Sequence, residues 1–186
     1  SIPHCLVVGV LRHTVTVGNM ISIHAAGRPR DQMARFWPPT TPLSYIGWGK
    51  TTQLGYGVGL AMGAKLARPD KLCINVWGDA AIGFTGMDFE TCVRERIPIL
   101  SILLNNFSMT AELGVMPAAT EKFRSTDISG NYSEFAHALG GYSERITAPG
   151  EIVPAIQRGI QKTREGTPAL LEFITKKETR LSVFGR

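Results

Sequence analysis

Leu72-Cys73-Ile74-Asn75-Val76-Trp77-Gly78-Asp79-Ala80-Ala81 and its counterpart Ile99-Leu100-Ser101-Ile102-Leu103-Leu104-Asn105-Asn106 decide the fold. Each is an apolar run of the length of a strand buried on both faces, closed by residues that form turns. Between them, Gly86–Arg96 places Met87, Phe89 and Val93 on one helical face and stops before Pro98. A strand, a helix and a second strand joined by a right-handed crossover make a parallel pair. Asp79 and Asn106, 27 positions apart, then stand at the carboxyl ends of two strands. If those strands are neighbours, they lie ~4.8 Å apart.

The same pattern extends outward. Cys5–Val10 and Ala169–Ile174 read as further buried strands, and Thr51–Arg68, Tyr132–Leu139 and Pro149–Glu165 as helices. The alternation predicts an α/β domain over residues 1–186, a parallel sheet flanked by helices on both faces. Gly27–Trp48 and Phe107–Ser125 fit neither period. Ligands of open α/β sheets bind beyond the carboxyl ends of the strands, so these two stretches are where a site is expected.

Composition narrows the classes. With 44% hydrophobic and 19% charged residues among 186, the chain is neither disordered nor collagen-like. Its longest apolar run, Ile97–Leu104, is far short of the ~18 residues that span a bilayer. Three dispersed cysteines, Cys5, Cys73 and Cys92, suggest neither a disulfide framework nor a zinc site, and a reducing, cytoplasmic setting is expected. The net charge of +5 is scattered, its densest stretch being Lys176, Lys177, Arg180 and Arg186 near the end of the chain. No basic, aromatic-interleaved surface for nucleic acid is expected. An anionic small ligand or solubility accounts for the charge.

A carboxylate and an amide oxygen at adjacent strand ends form a hard, oxygen-only pair. Such a pair suits Mg²⁺, which keeps few protein ligands and completes its octahedron with phosphate oxygens and water. Gly78-Asp79-Ala80-Ala81 is small enough for backbone N–H groups to approach a phosphate. A Mg²⁺-diphosphate site is therefore predicted. The plain alternative is that Gly-Asp and Asn-Asn only end their strands.

Gly78-Asp79-Ala80, followed after 24 residues by Asn105-Asn106, resembles the signature of thiamine diphosphate enzymes. The text from Gly47 to Asn106 is similar to the C-terminal domain of the acetolactate synthase-like group, and Gly83-Phe84-Thr85-Gly86-Met87 with Glu90 to its oxalyl-CoA decarboxylase and 2-hydroxyacyl-CoA lyase branch. The resemblance implies a thiamine diphosphate-binding fold with Mg²⁺ held by the side chains of Asp79 and Asn106 and the carbonyl of Ser108. Gly78, Ala80 and Ala81 would cradle the diphosphate, with His13 a candidate donor to it. The Thr52 carbonyl would accept from the cofactor's 4′-amino group, and Leu54 would hold the cofactor bent. It further implies an enzyme that makes or breaks a C–C bond next to a carbonyl, on 2-oxo acids or 2-hydroxyacyl-CoA thioesters. The glutamate that serves the pyrimidine ring would come from a pyrimidine-binding domain, in the same enzyme or a partner chain. That domain and the usual middle domain have no counterpart here, so the chain is expected to be part of a longer enzyme, inactive alone and oligomeric when complete. The alternatives are the small subunit of a split decarboxylase and a non-catalytic assembly module.

Two rival motifs are weaker. Ser44–Thr51 resembles a P-loop with Ser44 where the first Gly belongs, but it follows a Pro-rich segment instead of a buried strand. Gly55-x-Gly57-x-Gly59 lacks dinucleotide-binding spacing, and close helix contacts are expected to explain it.

Overall fold

The computed structural model describes residues 1–15, 18–49, 51 and 53–179. Six strands, β1 (Met20–His24), β2 (Tyr45–Ile46), β3 (Leu72–Gly78), β4 (Leu100–Asn105), β5 (Tyr142–Ile146) and β6 (Ala169–Ile174), form one sheet in the order β2-β1-β3-β4-β6-β5. Every pairing is parallel. The helices are α1 (His4–Thr14), α2 (Arg28–Phe36), α3 (Tyr56–Ala67), α4 (Asp79–Thr85), α5 (Asp88–Arg94), α6 (Pro117–Phe123), α7 (Tyr132–Ala138) and α8 (Ile152–Arg164).

Side chains alternate across the sheet and build two cores. Ile74, Val76, Leu100, Ile102, Leu171 and Phe173 bury against α1, α2 and α8. Cys73, Trp77, Ile99, Leu103 and Leu170 face the other way, into a core shared with Val58, Ala61, Ile82 and Phe89. Helices thus cover both faces, as the sequence predicts.

One element differs in kind. The expected strand Cys5–Val10 lies inside α1, because its buried residues are His4, Val7, Val8 and Leu11, a helical spacing. The valines have strand propensity, but the period of burial decides. The expected helix Thr51–Arg68 begins only at Tyr56, after Gly55 turns the chain at φ 91, so Leu54 lies in the preceding loop. The expected helix Gly86–Arg96 is the second of two short helices, α4 and α5. Of the three glycines expected to make close contacts, Gly55 and Gly57 do pack tightly, while Gly59 faces open space.

Candidate functional site

β3 and β4 are hydrogen-bonded neighbours with Gly78 level with Leu104. Their ends therefore bring Asp79 and Asn106 together. Asp79 opens α4 directly from β3 and is only 4% exposed. Its Oδ1 accepts from the Ala80 N–H at 2.8 Å, and its Oδ2 accepts from the N–H groups of Asn106 at 3.2 Å and Ser108 at 3.0 Å. Asn106 Oδ1 accepts from the same Ser108 N–H at 3.0 Å. This geometry depends on a left-handed Phe107, φ 58, whose N–H donates to Asn105 Oδ1 at 3.0 Å. The reversal at Phe107 aims the flanking N–H groups at the carboxylate across the strand gap.

Burial raises the Asp79 carboxyl above the usual carboxylate range, and the N–H groups of Ala80, Ser108, Asn106 and Phe107 pull the other way. Among the described residues, no Lys, Arg or His pairs with it. The Ser108 hydroxyl is buried without a hydrogen-bond partner. A desolvated carboxylate beside an amide oxygen and an unsatisfied hydroxyl is a donor set for a hard cation. Among the described residues no group of three or more His, Cys, Asp or Glu side chains gathers to hold a metal. A cation here would need further oxygens from outside the chain, and Mg²⁺ takes such oxygens from water and phosphate.

A cavity of about 300 Å³ opens on this pair. Leu54, Gly78, Ala80 and Ala81 form one side, and Arg28 and Arg30 from the start of α2 form another. Arg28 is 6% exposed, donates from Nη2 to the Glu178 carbonyl at 2.7 Å and from Nε to Thr110 Oγ1 at 3.4 Å. Arg30 is paired with Asp31 at 2.9 Å. The cavity is two-signed, with a carboxylate at the β3–β4 end and guanidinium groups at the α2 end. A larger groove, about 530 Å³, lies at the opposite, amino-terminal ends of the strands. Its Lys65 and Arg164 sit in the last turns of α3 and α8, where cations balance the carbonyl ends of helices. Asp70 and Asn19 also line it, but Asp70 is paired with Arg68 at 2.9 Å and the Asn19 amide oxygen accepts from Lys71 Nζ at 3.4 Å, so neither is open to a cation and the chemistry belongs to the smaller cavity.

Of the residues singled out from the sequence, Leu54, Gly78, Asp79, Ala80, Ala81, Asn106 and Ser108 line this one cavity. Two details differ. The Ala80 N–H is turned onto Asp79, and the Ser108 carbonyl already accepts from the Thr110 N–H at 2.9 Å, which leaves it one lone pair. Thr52 and Lys50 lie outside the described residues. His13 is not at the site: it is an exposed residue near the carboxyl end of α1, not the end of a strand. The residues that follow the true strand β1 are Ala25-Ala26-Gly27-Arg28, and Ala26, Gly27 and Arg28 supply cavity wall instead. Arg28 and Arg30 lie in Gly27–Trp48, which fits neither period; Met20-Ile21-Ser22-Ile23, then Gly27 and a Pro in the first turn of α2, is the strand-turn-helix signal that marks them. The P-loop-like stretch contains β2 within it instead of following a strand, which removes that alternative's structural context.

Residues 25–173 match the family described as "Thiamine pyrophosphate enzyme, C-terminal TPP binding domain". The chain belongs to this family. It is 35% identical over 124 residues to a probable acetolactate synthase of Mycobacterium bovis, covering 66% of this chain and 22% of that protein. It is 28% identical over 139 residues to human 2-hydroxyacyl-CoA lyase 2, covering 73% of this chain and 22% of that protein. The chain thus spans about a fifth of these relatives. The fold matches a Rhodococcus jostii thiamine diphosphate-dependent 4-hydroxybenzoylformate decarboxylase with a TM-score of 0.83 at 19% identity, over 96% of this chain and 33% of that one.

Proposed function

We propose that this domain holds the Mg²⁺-diphosphate half of thiamine diphosphate in an enzyme that makes or breaks a C–C bond beside a carbonyl. The observation that carries the reading is the buried Asp79 carboxylate against Asn106 at two neighbouring strand ends, with guanidinium groups across the same cavity. Asp79 and Asn106 would hold the cation through side-chain oxygens, with Ser108 as a third donor. Arg28 and Arg30 would face the phosphate charge, and the N–H of Ala81, in the first turn of α4, adds a helix-end donor. Leu54 offers the apolar contact that a ring system needs. Thr52 would contribute its carbonyl to the cofactor's amino group. When bound, the cofactor supplies an electron sink for a carbanion next to a carbonyl.

The substrates belong to the same proposal. 2-Oxo acids or 2-hydroxyacyl-CoA thioesters are favoured, because the named relatives are acetolactate synthases and 2-hydroxyacyl-CoA lyases. The pyrimidine-serving glutamate, the middle domain and an oligomeric assembly would come from segments or chains beyond these 186 residues. Exposed Phe84 and Met87, 67% and 63% accessible near the end of α4, support a face that another domain covers. A cytoplasmic location is part of the proposal.

Calorimetric titration with thiamine diphosphate and Mg²⁺ tests the site. Saturable heat from the wild-type chain that disappears in Asp79→Ala is the expected result. Equal heats from both proteins, or none from either, would overturn the assignment.

A further inference from the structure

Behind the proposed cation donors lies a second layer of polar groups. Glu172, in the middle of β6, is fully buried in an otherwise apolar strand. Its Oε1 accepts from Asn105 Nδ2 at 2.7 Å, and its Oε2 accepts from the Ser133 N–H at 3.0 Å. Arg145 on β5 approaches Oε2 with Nε at 3.8 Å, and its guanidinium lies 5.9 Å from the centre of the Phe107 ring. Asn105 Oδ1 in turn accepts from the Phe107 N–H. The circuit Arg145, Glu172, Asn105, Phe107 closes on itself and surrounds the left-handed residue that sets the Asn106–Ser108 turn.

We infer that Glu172 is a positioning residue for the cation site, acting through Asn105 on the turn that carries Asn106 and Ser108. The inference rests on the proposed Mg²⁺-diphosphate reading. A carboxylate only accepts, so it fixes the Asn105 amide with its amino group inward and its oxygen toward the Phe107 N–H. With the amide reversed, its amino group would confront that N–H and the left-handed turn would lose its anchor. Outer-layer partners of this kind orient the groups that touch a metal. The plain alternative is that Glu172 serves only to anchor α7 through the Ser133 N–H.

The two roles separate in an exchange of chemistry between positions 105 and 172. Glu172→Gln must set its new amino group against either the Asn105 amino group or the Ser133 N–H. Asn105→Asp sets two carboxylates side by side. Together they restore complementarity with the net charge unchanged: the introduced glutamine would donate to the introduced aspartate and accept from the Ser133 N–H, while that aspartate accepts from the Phe107 N–H. Free Mn²⁺ is followed by electron paramagnetic resonance during titration into the 186-residue chain with thiamine diphosphate present, and the urea midpoint is measured for each protein. Each single variant is expected to weaken Mn²⁺ binding ~10-fold, and the double variant to return within about threefold of wild type, a non-additivity characteristic of contacting residues. Singles that lower the urea midpoint but leave Mn²⁺ affinity unchanged would reduce Glu172 to an anchor of α7. If a single variant does not fold, the double decides alone: near-wild-type affinity supports the inference, and weak binding or failure to fold overturns it. Asp79→Ala is the control on the underlying reading. If it binds Mn²⁺ like wild type, or wild type does not bind, the cation site itself falls, and the inference falls with it.

Discussion

Gly57→Ala and Gly63→Ala add the same methyl group to the same helix, and they are expected to move stability in opposite directions. Gly57 is where α3 crosses the carboxyl end of β1: a Cβ there would lie 2.4 Å from Asn75 Oδ1 and 3.4 Å from both the Ala25 nitrogen and the His24 carbonyl carbon. Restoring an ordinary contact requires a shift of about 1 Å in a close-packed interior. Asn75 has little room to yield, since it is fully buried and its Nδ2 is directed at Ser101 Oγ at 3.5 Å. Overpacking of this kind costs up to about 3 kcal/mol, and the gain in helix propensity from Gly to Ala offsets ~1 kcal/mol. The net loss, about 2 kcal/mol, corresponds to a fall of roughly 4–8 °C in Tm for a domain of this size. Gly63 has nothing within 4 Å of its Cβ position, so its alanine should gain up to ~1 kcal/mol and about 2–4 °C. Thermal unfolding followed by circular dichroism, with urea titration to check that the m-value is constant, measures both. Because α3 starts beside Leu54 on the cavity wall, Gly57→Ala should also weaken thiamine diphosphate binding, while Gly63→Ala leaves it alone. A Gly57→Ala protein as stable as wild type would refute the close contact with the Asn75 amide oxygen from which all of this follows.

Three further outcomes are expected. Burial pushes the Cys73 thiol up to about 11 and the Cys92 thiol up to about 12, whereas Cys5 is exposed; at mildly alkaline pH one thiol should react promptly with Ellman's reagent, three in urea, and two prompt thiols in the folded chain would contradict the buried assignment. His4 and His24 are lowered from the ordinary histidine range, chiefly by burial, so the unfolded chain takes up protons first as pH falls. The stability they contribute is complete above about pH 6.5 and is lost as pH drops toward their lowered folded values; urea midpoints should fall through that window, and His4→Gln should flatten the decline. Phe89 is fully buried and sits where a Cβ on Gly141 would lie 2.4 Å from its ring; Phe89→Ala should cost about 3–5 kcal/mol and should also relieve the penalty of Gly141→Ala, so strictly additive losses in a double-mutant cycle would tell against the contact.

The central strands and the cation pair were legible because one local pattern specified both. β3 and β4 each carry a single interior polar residue, Asn75 and Ser101, in an otherwise apolar run, and turn-forming residues close both, so the carboxylate and amide stand out as punctuation at matching strand ends. β1 escaped notice because Ser22 and His24 interrupt its apolar run; Ser22 satisfies its hydroxyl on the Ser44 carbonyl at 3.1 Å, and His24 is enclosed by Tyr45 and Tyr56, partners that only the tertiary fold supplies. The valines of α1 mimic the strand that β1 supplies, so His13, which follows them in sequence, stands in the last turn of a helix and not beyond a strand. β5 is an edge strand, half-covered and polar at Ser143, Glu144 and Arg145, so neither periodicity nor composition marks it. Glu172 lies in Ala169–Ile174, a run whose apolar pattern marks it as strand. Its partners, Asn105 and Ser133, are 67 and 39 residues away in sequence.

Asp79 shows why a site of this kind is not simply a stable core. The fold buries its carboxylate with no pairing side chain among the described residues, and the backbone N–H groups only partly offset that burial, which is why its carboxyl lies above the usual range. A carboxyl raised in the fold contributes stability below its unfolded value, and that stability is lost as pH rises through the folded one, so at neutral pH the charge works against folding. Asn is the uncharged isostere of the form the fold prefers. It keeps one acceptor for the Asn106 and Ser108 N–H groups and loses the contact with the Ala80 N–H, as a protonated acid also would. Asp79→Asn should therefore leave the cofactor-free chain at least as stable as wild type in urea. A cation at Asp79 removes the penalty in the wild type, and saturating ligand adds stability by mass action, ~2.7 kcal/mol at one hundred times its Kd. That gain should be absent from Asp79→Asn. The two urea midpoints should thus lie close together, or favour the variant, without Mg²⁺ and thiamine diphosphate, and should separate in favour of wild type with them. A variant markedly less stable than wild type in the absence of both would mean that the Asp79 charge is a structural anchor of the β3–β4 turns and not a group held ready for a cation.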